Sequence, residues 1–378
     1  MEYFRCVHAD RIALDHQLRG TGPMTGEARR VVEDATFIAF EKVVDSCLAH
    51  KADCLLLTGD SIDPESIGLR GPAALVRGIL RLAERDIAVV LDAGRASQWS
   101  SWPAGLRFPP NAHRLGPGFE NSVSVARQGH LLATITAADP LARRHETCPG
   151  WQIQLSEVQG STSTFPVEDT PRSVQGFHAQ ENGPQGCVLV EFESGAAPRQ
   201  TIIPTAPVRW ERFDMTLNNE MNRDDLLQEM ATVIERAGRK PCEKVWLVSW
   251  TVSGAGPLFE SLAEKRFRDG LIAELVELDP LPGIALCTPA IEVHTSSPSS
   301  RPIGDHDELA ADFLARLDER LSRHETARHE CLAGSALHGG PWEMKLEALL
   351  AELDAGETAR EAGRMTRHWF AVPEELSS

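Results

Sequence analysis

Cys54-Leu55-Leu56-Leu57 is an unbroken apolar run that leads directly into Thr58-Gly59-Asp60-Ser61-Ile62-Asp63. Consecutive apolar side chains point to opposite faces of a strand, so this run needs cover on both sides. That requirement places it in the middle of a layered fold. Gly59 permits a sharp turn, so Asp60 is expected at the carboxyl end of the strand, the edge where open α/β sheets bind ligands and metals. A Gly-Asp-x-x-Asp turn of this kind aims a carboxylate at a pair of divalent cations. The same turn also serves simply to cap a loop.

The flanking sequence supplies the rest of a parallel sheet. Tyr3 to His8 reads as a first strand, and Ala9 to Gly20 as a loop. Residues 26–49 carry Val31, Val32, Ala35, Phe37, Ile38, Phe40, Val43, Val44 and Leu48 at helical spacing, and 70–85 repeat the pattern with Leu75, Ile79, Leu80 and Leu82. Ile87 to Leu91 reads as a buried strand ending in Asp92-Ala93-Gly94-Arg95-Ala96. Strand–helix–strand–helix–strand with short joins predicts a parallel sheet with right-handed crossovers.

Beyond Trp102 the periodicity changes. Residues 121–127 and 130–137 alternate as antiparallel strands, 138–184 are rich in Pro, Gly, Ser and Thr, and 187–192 and 200–204 are further strands. These strands are expected to form a second sheet facing the first. After a shift in composition near Val208-Arg209-Trp210, a helix (222–238), a strand (244–251), a helix (257–269) and one or two short strands (282–294) predict a small α/β module. Thr295 to Arg301 reads as a linker. Residues 306–323 and 341–368 are charged amphipathic helices with no core of their own, which calls for a partner surface. The expected divisions are 1–206, 207–297 and 298–378.

The formal net charge of -17 over 378 residues excludes a generally basic, nucleic-acid-coating surface, though not a local basic groove. None of the 8 cysteines is spaced Cys-x-x-Cys, and several lie in apolar runs, as buried thiols in a reducing compartment would. No signal-peptide or membrane-spanning run is read in the sequence, so a cytoplasmic protein without a membrane partner is expected.

Several stretches, in order, resemble one family. Val7-His8-Ala9-Asp10-Arg11-Ile12-Ala13-Leu14-Asp15-His16-Gln17-Leu18 is similar to the opening motif of the calcineurin-like metallophosphoesterases, in particular the SbcD-type double-strand-break-repair nucleases. Leu55 to Asp63 resembles their second motif, and Val89 to Ala96 stands where they carry Gly-Asn-His-Asp. Gln175 to His178, Gly183 to Glu191 and Trp250 to Leu258 resemble the close of the nuclease domain and part of its capping domain. The resemblance implies a four-layer α-β-β-α sandwich, a small α/β cap, and C-terminal helices that dock on an SbcC-type coiled-coil ATPase.

The family's ligands are replaced. Arg11 and Ala13 stand where an Asp and a His would hold one metal, and Arg95 and Ala96 where an Asn ligand and a catalytic His belong. The later Gly-His-x-His turn has no counterpart, since His145 is isolated, so Asp60 is the residual ligand. One carboxylate cannot hold two hard cations against water. The expectation is a non-catalytic subunit with no cofactor, in which Arg11 and Arg95 fill the metals' space and neutralise Asp60. It would act as scaffold or regulator in DNA-end processing, meeting DNA through the complex, with a homodimer also considered. The alternative is an active Mn²⁺-dependent exonuclease or phosphoesterase with a rearranged site drawing on Asp10, Asp15, His16, Asp60, Asp63 and Asp92. A third reading is a binding module that holds an anion on Arg11 and Arg95. His8 is expected as a packed strand-end histidine and His178 as a surface one; His324, His329 and His338 give a weak hint of metal.

Overall fold

The computed structural model describes residues 3–22, 24, 26–62, 68–92, 102–103, 105–116, 118–137, 150–154, 157–158, 161–162, 173–289 and 291–295. The chain divides into two compact units, Met1–His294 and Thr295–Ser378. The expected C-terminal helices, with His324, His329 and His338, lie outside the described residues, as do Asp63, Arg95, Ala96 and His145.

The fold is mixed α/β with several sheets. The first sheet has six strands. Four are parallel: β1 (Tyr3–Asp10), β2 (Cys54–Thr58), β3 (Ala88–Asp92) and β4 (Ala112–Leu115). Helices α1 (Gly26–Glu33), α2 (Ala35–Ala49) and α3 (Arg70–Ala83) occupy the crossovers between β1, β2 and β3. The single helix expected over 26–49 is two, broken at Asp34.

Two more strands lie outside β1. They are β10 (Gly186–Glu193), antiparallel to β1, and β11 (Arg199–Pro204), antiparallel to β10. These were expected in the facing sheet, and the structure corrects that. The facing sheet is instead β5 (Ser122–Arg127), β6 (His130–Thr136) and β7 (Trp151–Gln154), with a separate two-stranded ribbon of β8 (Glu157–Val158) and β9 (Ser161–Thr162).

Strand alternation sorts the first sheet's side chains cleanly. Val7, Ala9, Leu55, Leu57, Val89 and Leu91 form one core with Phe40, Val43, Leu75 and Ile79 of the helices. Phe4, Cys6, Cys54, Leu56 and Val90 form another with Val123, Val125, Ala133 and Ile135 of the facing sheet. Among the described residues the layers are therefore helix, sheet, sheet. Cys6, Cys47, Cys54 and Cys187 are buried free thiols within these layers.

A four-stranded sheet follows. It comprises β12 (Val208–Leu217), β13 (Val245–Gly254), β14 (Ala285–Cys287) and β15 (Ile291–Thr295); β12 and β14 lie parallel to β13. Helices α4 (Arg223–Ala237), α5 (Pro257–Ser261) and α6 (Lys265–Glu277) give this sheet its own core around Trp246, Trp250, Met230 and Leu271. Asn222 caps α4 by accepting from the Asp224 and Asp225 amides, and Asp225 returns a bond to the Asn222 amide. The opposite face at the start of the sheet, Val208, Trp210, Val245 and Leu247, shares a core with Val31 and Ala35 of the first crossover. Both sheets belong to one compact unit. No helix among the described residues is long and apolar enough to cross a membrane.

Candidate functional site at the carboxyl edge of the first sheet

The parallel strands β1, β2 and β3 end side by side. Asp10 is paired in register with Thr58, and the Leu57–Leu91 pair one step earlier brings Asp92 to the same level. Asp10, Thr58 and Asp92 are each an even number of residues from the buried positions that face the second sheet, so they share that face. Thr58 donates its hydroxyl to Asp10 Oδ1 at 2.7 Å, and His8 Nε2 lies 2.8 Å from the same hydroxyl oxygen. The one hydroxyl proton is spent on Asp10, so neutral His8 donates from Nε2. Burial drives the His8 pKa down to about 4, which keeps the ring neutral. Burial also raises the Asp10 carboxyl. The Thr58 hydrogen bond and nearby Arg11 oppose that rise, and the Asp92 charge adds to it. His8 is thus a packed strand-end histidine, engaged with Thr58.

The loop after β1 is held in an unusual shape. Arg11, Ala13 and Asp15 have φ of 45°, 36° and 71°, the left-handed region that L-residues seldom adopt. The residues after β2 hold it there. Arg11 N–H donates to Thr58 O, Ala13 N–H to Asp60 O, and Leu14 N–H to Ser61 O. Gly59, at φ 64°, sits so close to Asp10 that a Cβ would stand 3.0 Å from its Oδ1. Asp15 accepts the Gly71 amide at 2.6 Å, in the first turn of α3.

Arg11 does not pair with Asp60. Its guanidinium makes an ion pair with Glu181 and lies 4.8 Å from the centre of the Phe177 ring. Glu181 also accepts the Phe177 amide at 2.7 Å, and His16 meets the same ring edge-on at 4.8 Å. His178 Nε2 stands 3.7 Å from Glu181 Oε1. The expected neutralisation of Asp60 by Arg11 is therefore corrected. Asp60 contributes its backbone carbonyl to the loop, and among the described residues its carboxylate forms no hydrogen bond or ion pair. Sequence reasoning singled out Arg11 but missed Glu181, 170 positions away. The segment Gln175 to His178 was noted for its resemblance, and Glu181 follows three residues later.

Among the described residues no three His, Cys, Asp or Glu side chains gather as a metal ion requires. Arg11 and Ala13 offer no donor where the motif would need two. The described donor set does not fit a pair of divalent cations. What the edge provides is a neutral histidine, a hydroxyl relay to a raised carboxyl, and an arginine fixed between a carboxylate and an aromatic ring. In comparisons with known proteins, the chain matches no family model and no curated protein.

Proposed function

We propose that the chain is a non-catalytic relative of the SbcD-type nucleases, built on a metallophosphoesterase-like α-β-β-α sandwich with the 207–297 module as its cap. It would serve as scaffold or regulator beside an SbcC-type coiled-coil ATPase in the cytoplasm, meeting DNA through that complex. The observation that carries the reading is Arg11. It stands where the resemblance calls for a metal-binding Asp, and its guanidinium is engaged by Glu181 and Phe177. A fixed cation at that point opposes a second cation beside it. The helix–sheet–sheet layering and the strand order around Asp60 support the same reading.

A second reading has one observation in its favour. Asp10 and Asp92 lie close enough for the charge of one to raise the carboxyl of the other. A rearranged Mn²⁺ site using Asp10, Asp60 and Asp92 would draw on that pair. Metal analysis of the purified protein, run beside Mn²⁺ assays on double-stranded DNA ends and bis(p-nitrophenyl) phosphate, separates the two. The first reading expects no stoichiometric metal and no hydrolysis. Hydrolysis that disappears in Asp60→Ala would replace it with the second. Co-purification with the product of an adjacent coiled-coil ATPase gene tests the partner.

A further inference from the structure

We propose that residues 173–185 act as a strap that makes the seating of the four-stranded module depend on the Arg11–Glu181 ion pair. Two unrelated parts of the fold grip the segment. In its middle Glu181 holds Arg11 and the Phe177 amide, and Phe177 O accepts the Arg19 amide at 2.9 Å. On either side of that grip the strap holds the first residues of β12. The buried Gln175 amide donates to Val208 O at 2.8 Å and accepts from Val208 N–H at 3.3 Å. Trp210 donates its indole N–H to Gly176 O at 3.0 Å, and Gly183 N–H donates to Trp210 O at 2.8 Å.

The two grips meet at Gly176. A Cβ there would stand 2.9 Å from Glu181 O and 3.2 Å from the Trp210 ring, so the glycine is pressed between the two grips. Gln185 ties the far side by donating to Glu181 O at 3.2 Å and accepting the Thr205 amide at 3.1 Å. Trp210 in turn lies in the apolar seam with Val31, Ala35, Val245 and Leu247. A contiguous path of packed and hydrogen-bonded groups therefore runs from the strand-edge loop to the seam, and coupling along such a path is reciprocal. The strap works whether or not the strand edge descends from a nuclease.

The test is amide hydrogen exchange on the full chain. In Glu181→Gln the Gly183 and Val208 amides exchange about tenfold faster, the effect of losing one charge-assisted hydrogen bond. The Leu55–Leu57 amides of β2 and the Met230–Ile234 amides of α4 keep their wild-type rates. By reciprocity, Trp210→Phe, which removes the indole donor together with part of the buried ring system, speeds exchange at Phe177 and Arg19. Should Glu181→Gln fail to fold, Arg11→Met gives the same readout, since it removes the charge that pairs with Glu181 and keeps a long side chain. Faster exchange confined to 11–19 and 177–181, with Gly183 and Val208 unchanged, overturns the proposal. Uniform acceleration that includes β2 and α4 overturns it as well.

Discussion

His8 should make the protein acid-labile in a defined window. Its pKa falls from an ordinary 6.5 to about 4 because the ring is buried. The unfolded chain takes up a proton as pH drops through 6.5, whereas the folded chain resists until about 4. The unfolded state therefore binds more protons across that window, and stability falls as pH falls. The gap of roughly 2.5 pH units, at about 1.4 kcal/mol each, amounts to about 3.5 kcal/mol. That stability is fully present above pH 6.5 and mostly gone by pH 4. Asp10 acts in the opposite sense. Its raised carboxyl keeps a proton that the unfolded chain has released, so acid relieves that group. His8→Gln separates the two, because a glutamine amide can still donate to Thr58 but does not titrate. Urea unfolding of both proteins from pH 7.5 to 4.5 is the assay. The wild type should lose about 2.5 kcal/mol more than the variant over that range. Parallel stability curves would show that His8 is not held neutral by burial, and the relay drawn from it would fall.

Two further substitutions probe the packing. Gly78→Ala places a Cβ 2.5 Å from Phe40 Cε1 and 2.7 Å from Cζ across the α2–α3 contact, so denaturation should show a loss of about 1–3 kcal/mol. No loss would mean that Phe40 turns aside freely. Arg209 is buried at 5 % exposure between Glu211 and Glu243 and stacks 4.2 Å from the Trp246 ring centre. Arg209→Leu strands two carboxylates and should cost about 3–5 kcal/mol at neutral pH. Burial already raises the Glu211 carboxyl, so acid should shrink that deficit; a pH-independent deficit would place the cost in lost packing instead.

The parts of the fold that could be read locally were those whose burial leaves a local pattern. Leu55 to Leu57 and Val89 to Leu91 are covered on both faces, and their apolar runs announced it. The same signal was present in Cys187 to Val190, which sits between β11 and β1 in the first sheet. A run buried on both faces belongs in the middle of a two-sided sheet, and that cue argued against placing it opposite. The strand β12 was missed because buried Arg209 and half-buried Glu211 interrupt its apolar alternation, and the pairing of Arg209 with Glu243 depends on a turn 34 residues on. The break at Asp34 is invisible to periodicity, since Val31 and Ala35 both face the seam with the second module. At the strand edge, Asp10, Thr58 and Asp92 follow from register once the sheet is known. Glu181 does not, because an ion pair between residues 170 positions apart has no local signature.

The turn formed by Arg11, Ala13 and Asp15 behaves as a loaded latch. Three side-chain-bearing residues in left-handed geometry together hold roughly 3–6 kcal/mol, a sizeable share of a domain's net stability. The carbonyls of Thr58, Asp60 and Ser61, the Arg11–Glu181 ion pair and the Asp15–Gly71 bond keep that tension in place. Catches that share one short turn do not fray one residue at a time. When the catches slip, the whole turn lets go at once, and the ends of β1 and β2 are released together.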